Sequence, residues 1–345
     1  MSVLVRTIAP PPVFSHLLRL TDHHGVFEHA SFTTARREHG YCADDVARAL
    51  VVVLREPVRT RSLDEAAQTY LTFLEGAVTD DGSVRNRRAV SGEWSADLST
   101  GDCWGRTVQA LGFAARAGST RTLRHRATRV FLRATRSRTV DVRAAAFAAI
   151  GAADFLRGRA DLPGPAHALL TDCLDRIPRG SAPGWAWPEP RLRYANASLC
   201  DALVYGGGVL RRVDDVREGL RMLAALLEIE TGGRDHLSVT GTAGRSPGED
   251  GPLWDQQPIE PGVIADACAH AAEVTGDASW ARRVHLAWAW FLGANDGRVV
   301  MYDSATGAGH DGLEPQGRNQ NCGAESTLAA LGTLQHVRAL PGPRR

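Results

Sequence analysis

Apolar residues along this chain recur at intervals of three and four, and two-residue alternation is almost absent, so the pattern predicts helices and little sheet. Apolar-striped segments fall near 11–21, 43–55, 62–77, 103–117, 121–136, 141–157, 163–176, 196–211, 214–229, 260–274, 278–294 and 323–339, twelve in all. The links after the even-numbered segments are short: 56–61, 118–120, 158–162, 212–213 and 275–277. Those after the odd-numbered ones are long, at 22–42, 78–102, 177–195, 230–259 and 295–322, with 137–140 the short exception. Loops of roughly 20 residues or more are uncommon in compact domains and are usually functional.

The even-numbered segments also open alike. GYCADDVARALVV, TGDCWGRTVQALG, RYANASLCDALV, QPIEPGVIADACA and NCGAESTLAALG each place a small or acidic cap before an Ala-rich run. Small residues let helices approach closely, which makes these the expected inner set. The odd segments SLDEAAQTYLTFLEGA, TLRHRATRVFLRATR and DASWARRVHLAWAWFLG carry more charge and bulk, as an outer ring would. Six outer–inner hairpins closing on themselves give an all-α (α/α)6 toroid, one domain over residues 1–345, with the long loops on one face around the inner-helix N-termini. The competing architecture is an open solenoid of paired helices. Six pairs is the closing number, and the repeats diverge too far for an array.

Composition narrows the chemistry. The 40 basic residues are all arginine and face 39 acidic ones, for a net charge of +1. The absence of lysine excludes a Schiff-base or P-loop lysine mechanism. The near-neutral balance argues against nucleic acid as main partner, because phosphate binding needs a basic excess. No run reaches the ~18 apolar residues of a membrane span, and the opening MSVLVRTIAPPPVF lacks signal-peptide features. Cys42, Cys103, Cys173, Cys200, Cys268 and Cys322 form no CxxC pair and mostly sit in apolar helical runs, so buried free thiols and a reduced, cytoplasmic setting are expected.

Helix N-termini expose unpaired N–H groups and the positive end of the helix dipole. In a ring, six of them converge. Asp44 and Asp45, Asp102, Asn196, Glu260 and Glu325 stand at or next to five of these starts, and the third inner helix offers Asp141 and Arg143. For any single acid an N-cap is the simpler explanation. The long loops add what capping does not require: Glu28, His29, Arg37, His39 and Tyr41 in the first, then Asn86, Arg88, Trp94, Asp97 and, at the helix start, Arg106 in the second. Trp185, Trp187, Glu189, Arg191, Tyr194 and Asn196 crowd the fourth, Trp254, Asp255, Gln256 and Gln257 the fifth, and Tyr302, Asp303, His310, Asp311, Asn319 and Asn321 the last.

A loop tryptophan is more often a packing anchor than a ligand platform. Aromatics mixed with amides, carboxylates and arginines are nevertheless what a sugar demands, since apolar sugar faces stack on rings and hydroxyls seek planar, two-pronged partners. Two carboxylates across a cleft are the minimum for glycoside hydrolysis. Asp45 and Asp102 are the leading pair, with Asp44 splitting tasks with Asp45 (one capping, one facing the cleft) and Glu260, Glu189 and Glu325 in reserve. The substrate-binding candidates are Arg37, His39, Tyr41, Trp94, Arg106, Trp187, Glu189, Arg191, Tyr194, Asn196, Trp254, Gln256, Gln257, Asp311, Asn321 and Glu325. Zinc, through His39 with Cys42, Cys103 and Cys322, lacks HExxH, CxxC or paired-histidine spacing, and no GxSxG elbow supports a Ser-His-Asp triad. No cofactor or metal is expected.

At GYCADDVARAL, GDCWGR, WPEPRLRYAN, DQQPIE and NCGAEST the chain resembles a group of bacterial proteins built on the six-hairpin glycosidase architecture, often found beside or fused to glycosyltransferases. The resemblance runs from Gly25 to the last helix and implies the toroid and a carbohydrate ligand. The group's neighbours include mannoside phosphorylases, which makes oligomannosides one candidate among several. Members carry Ser-His after the Asp of the second motif; Cys103 and Trp104 stand there in this chain, which puts any histidine role at that position in doubt. Three readings follow: a glycoside hydrolase acting on an oligosaccharide, with phosphorolysis open; a sugar epimerase or isomerase recruiting His29, His39 or His310; and a non-catalytic glycan-binding partner of a glycosyltransferase.

Overall fold

The computed structural model describes residues 9–159, 161–181 and 184–340. Twelve helices dominate: α1 (Ser15–Arg19), α2 (Ala43–Arg55), α3 (Arg61–Ala77), α4 (Asp102–Ala117), α5 (Arg121–Ala134), α6 (Val142–Gly158), α7 (Pro163–Arg176), α8 (197–210), α9 (Val213–Thr231), α10 (Ile259–Thr275), α11 (Ala278–Phe291) and α12 (Ala324–Ala339). In α8, α-helical turns flank a π-helical turn at Ala202–Gly206. The first element is shorter than its periodicity predicts. Pro10, Pro11 and Pro12 each hold the residue before them in extended backbone, so no helix starts there and only the single turn Ser15–Arg19 forms.

The ring closes. α2 packs on α4, α4 on α6, α6 on α8, α8 on α10, α10 on α12 and α12 back on α2, while the odd-numbered helices lie outside them. This is the (α/α)6 toroid, with the Ala-rich helices inside as their composition predicts. The tightest crossing is α4 against α6. A Cβ on Gly112 would stand 1.9 Å from the Gly151 carbonyl oxygen, and one on Gly105 2.5 Å from the Ala144 oxygen. Neither backbone can move without moving its helix. Gly112→Val is therefore expected to destabilise the fold by about 3 kcal/mol, the upper end of an overpacking penalty, read from the midpoint of denaturant unfolding.

The long loops share the face at the inner-helix N-termini and are stitched to one another. Strand β3 (Tyr41–Cys42) of the first pairs antiparallel with β5 (Arg87–Arg88) of the second. Leu192 bridges to Arg245, Gln256 to Leu313, and the Cys322 amide donates to the Phe32 carbonyl, so the rim runs continuously from loop to loop. No helix among the described residues is long and apolar enough to cross a membrane.

Candidate active site

Side-chain capping is uneven around the ring, and outer helices α1, α7 and α9 lack it. Outer helices α3, α5 and α11 are capped by the side chains of Thr60, Thr120 and Asp277. Of the inner helices, α6 is capped by Asp141, whereas α2, α4, α8, α10 and α12 have no side-chain cap. Asp141 apart, the acids at the inner starts are thus not caps. In particular neither Asp44 nor Asp45 caps α2, contrary to the expected division of tasks; Cys42 holds the N-cap position and the acids lie in the first turn.

Five inner helices, and the turn that leads into the sixth, contribute to one polar array around Tyr194. From α2, Arg48 donates through Nη1 to Asp45 Oδ1 at 2.6 Å and through Nη2 to the Tyr194 hydroxyl at 3.1 Å. The same Nη2 lies 2.8 Å from Glu325 Oε2 on α12. From α4, Arg106 donates to the Tyr194 hydroxyl at 3.2 Å, with its guanidinium 3.5 Å above the Phe147 ring. From α6, Arg143 donates to the Tyr194 carbonyl at 3.0 Å, to Asn196 Oδ1 at 3.2 Å, and to both oxygens of Glu189 at 2.5 and 2.6 Å. From α10, Glu260 accepts the Ala195 amide at 2.6 Å, just ahead of α8. The Tyr194 hydroxyl accepts from both guanidiniums, which occupies its lone pairs and leaves its proton to donate.

Burial sets the protonation of this array. Asp45 is 3% exposed, and desolvation pushes its pKa to about 7 against the pull of Arg48. Glu260, 5% exposed, is pushed to about 8 by desolvation and then by the neighbouring carboxylate of Glu230. Asp102, at the first position of α4, is raised by desolvation and by Asp141, with Asp44 adding. Asp44 Oδ1, Arg48 Nε and Arg106 Nε are buried without a hydrogen-bond partner in the protein. Such atoms are uncommon in folded proteins and give this mouth hydrogen-bonding capacity for a polar ligand. Beside the array, Arg191, Arg193, Tyr194, Gln257 and Glu260 line a cleft of about 380 Å³ with the 240–244 backbone. A metal would look to Glu28, Cys42 and Asp45, whose ligand atoms lie within 4.8 Å of one another. Guanidiniums already neutralise both carboxylates there, Arg87 on Glu28 and Arg48 on Asp45, and burial lifts the Cys42 thiol well above its usual range. That donor set suits a cation poorly.

The candidates from sequence thus divide. Asp44, Asp45, Asp102, Arg106, Arg191, Tyr194, Gln257, Glu260 and Glu325 fall at or beside the array. Trp187 and Gln256 have no exposed surface, so neither offers a face to a ligand. Trp187 Nε1 donates to Glu189, while Gln256 bonds Asp296 and Trp290. Glu189 is spent on Arg143 and Asn196 on the 193–196 turn. Tyr41 is buried and donates to Asp22, with Arg37 over the neighbouring Phe27 ring. Trp94 packs on Phe73, as an anchor would. Asp311 and Asn321 hold the last loop by accepting the Gly323 and Phe32 amides. His39 is exposed on a 3-10 turn against His29, His310 binds the Asn319 carbonyl, and Trp254 is half-buried in its loop. Among the described residues no histidine hydrogen-bonds to Tyr194, Arg48 or Arg106. Arg48 itself escaped the sequence reading: an arginine three residues after an acid in an Ala-rich helix looks like an ordinary surface pair.

No protein-family model and no curated protein matches the sequence. Solved structures do match over almost the whole chain. A sugar epimerase from a ruminal bacterium superposes with a TM-score of 0.71 at 11% identity, covering 97% of this chain and 98% of that one. Cellobiose 2-epimerase from Bacillus thermoamylovorans gives 0.72 at 10% identity, covering 95% and 96%. The cellulase Cel9M of C. cellulolyticum gives 0.58 at 8% identity, covering 92% and 87%. The toroid is shared by all three.

Proposed function

We propose that the chain is a carbohydrate-active enzyme whose chemistry is run by carboxylates, arginines and Tyr194 at the N-terminal mouth of the ring. One observation carries the reading: five inner helices and the turn leading into the sixth direct polar groups into a single array, in which Asp45 and Glu260 hold protons near neutral pH. Groups poised near the working pH transfer protons best.

Two reactions fit that array. Epimerisation or isomerisation of a sugar is favoured by the end-to-end superposition on a sugar epimerase and a cellobiose 2-epimerase. Here Arg48, Arg106 and the Tyr194 proton would stabilise the enediolate oxygen, Asp44 or Asp102 would take the proton from carbon as base, and protonated Glu260 would return one to the opposite face. None of the histidines considered for that chemistry hydrogen-bonds to the array, and we assign their part to carboxylates. Glycoside hydrolysis is favoured by a different observation: Asp44 and Asp102, on adjacent inner helices, face the same mouth close enough to couple electrostatically. Glu260 would then be the acid and one of that pair the base, in place of the Asp45–Asp102 pair suggested by the sequence, because Asp45 is turned inward onto Arg48 and Cys42.

Product analysis by NMR and mass spectrometry separates the two, with a panel of mono- and oligosaccharides incubated in D2O and, separately, in 18O-water. Carbon-bound deuterium without chain shortening identifies epimerisation or isomerisation; 18O at a new reducing end identifies hydrolysis. Glycan binding with neither label would overturn the catalytic reading.

A further inference from the structure

The opposite mouth of the ring, where the inner helices end, holds a second polar cavity of about 600 Å³. That volume lies within the roughly 300–1,000 Å³ of small-molecule sites. A constriction with about 60 Å³ of open space, where Val51, Gly262, Ala329 and Gly332 are joined by Gln109 and Asp266, lies between it and the Tyr194 array.

Its lining is organised as a site rather than as a scatter of surface charge. His270 of α10 bonds through Nδ1 to Asp201 Oδ1 of α8 at 2.7 Å, and its ring stacks on Tyr205 at 4.0 Å. Tyr205 donates to Asp154 at 2.8 Å and accepts from Arg157 at 2.8 Å. The carboxylate on Nδ1 and the stacked ring fix the imidazole's tautomer and plane, as in a histidine held for binding or proton transfer. Nε2 is left as its free nitrogen. Asp201 and Tyr205 sit at and within the π-helical turn of α8, and such turns frequently occur at functional sites.

A second feature points to a ligand independently. Gln335 is 5% exposed and lines the same cavity. Its Nε2 donates to the Val52 carbonyl and to Glu56. Its buried Oε1 accepts from no group in the protein. The lining sets the chemistry of the occupant: Asp154, Asp201, Asp266 and Glu273 are paired with Arg116, His270, Arg55 and Arg157, whereas the Glu56 carboxylate accepts, among the described residues, only from Gln335, which favours hydroxyls or an amine that donate hydrogen bonds.

We infer that this mouth is a second binding site, for a small non-anionic polyol held through His270 and Gln335, with an amino sugar matching the Glu56 carboxylate that no cation among the described residues pairs. The inference rests on the C-terminal mouth alone and does not depend on the reaction at the other end. Calorimetric titration of the full chain with D-glucosamine, D-glucose and D-glucose 6-phosphate tests it. Glucosamine is expected to bind most tightly and the phosphate ester most weakly. His270→Gln and Gln335→Leu should each weaken glucosamine about tenfold, the cost of a lost hydrogen bond to a charged or buried group. Glu260→Gln should leave that binding intact. Thermal melts of each variant report folding, and the two substitutions lie on different helices, so a loss common to both does not reduce to one misfolded protein. Absence of glucosamine binding, tightest binding of the phosphate ester, or binding abolished by Glu260→Gln and untouched by His270→Gln would overturn it.

Discussion

Arg48→Met is expected to destabilise the protein by about 3 kcal/mol at pH 8, the scale for removing one partner of a buried ion pair, and to abolish turnover. Arg48 is the one group that touches Asp45, Glu325 and Tyr194 together. Its loss leaves Asp45 buried without a cation and the Tyr194 hydroxyl with one donor. The penalty depends on pH in a defined direction. Asp45 already has its folded pKa raised from 3.8 to about 7, and without Arg48 it rises further. At pH 5 the variant therefore carries Asp45 protonated and loses less stability than at pH 8. Urea unfolding at the two pH values checks this; an equal loss at both would show that Arg48 acts through packing instead.

Glu260→Gln is expected to lower kcat by about 10²–10⁴, the range for removing a general acid or base, without unfolding the chain. The amide keeps the shape and still accepts the Ala195 amide through its oxygen. Stability should move the other way. Glu260 has its folded pKa raised from 4.5 to about 8, so the folded state binds a proton that the unfolded state releases between those values. Stability from this group is complete below about pH 4.5 and is lost as pH rises through 8. The variant should accordingly lose less stability than the parent between pH 5 and 9. A variant as active as the parent would remove Glu260 from the chemistry.

The ring was legible in the sequence because each of its parts leaves a local trace. Ala-rich runs, a small or acidic start and alternating loop lengths recur hairpin by hairpin, and the Gly112–Gly151 crossing shows why the inner helices had to be poor in bulk. The acids at the inner starts were legible for the same reason. What was not legible depends on partners far apart in the chain. Glu189 looked free for a ligand until Arg143, on another helix, claimed both of its oxygens. Trp187 and Gln256 read as loop residues, yet the loops fold inward over them. Arg48 looked like a surface partner because nothing local reveals that the polar stripe of an inner helix faces a lumen. The His270–Asp201 pair was hidden in two apolar stripes for that reason too.

The central claim is that carboxylates at the N-terminal mouth, not histidines, run the reaction. The pH dependence of kcat/KM for the parent and for Glu260→Gln, measured on the sugar that the product screen identifies, tests it most directly. The parent should lose activity as pH rises through about 8, where Glu260 gives up its proton, and the residual activity of the variant should lack that limb. The same limb in both proteins, or one that vanishes on replacing His29, His39 or His310 instead, would contradict the account.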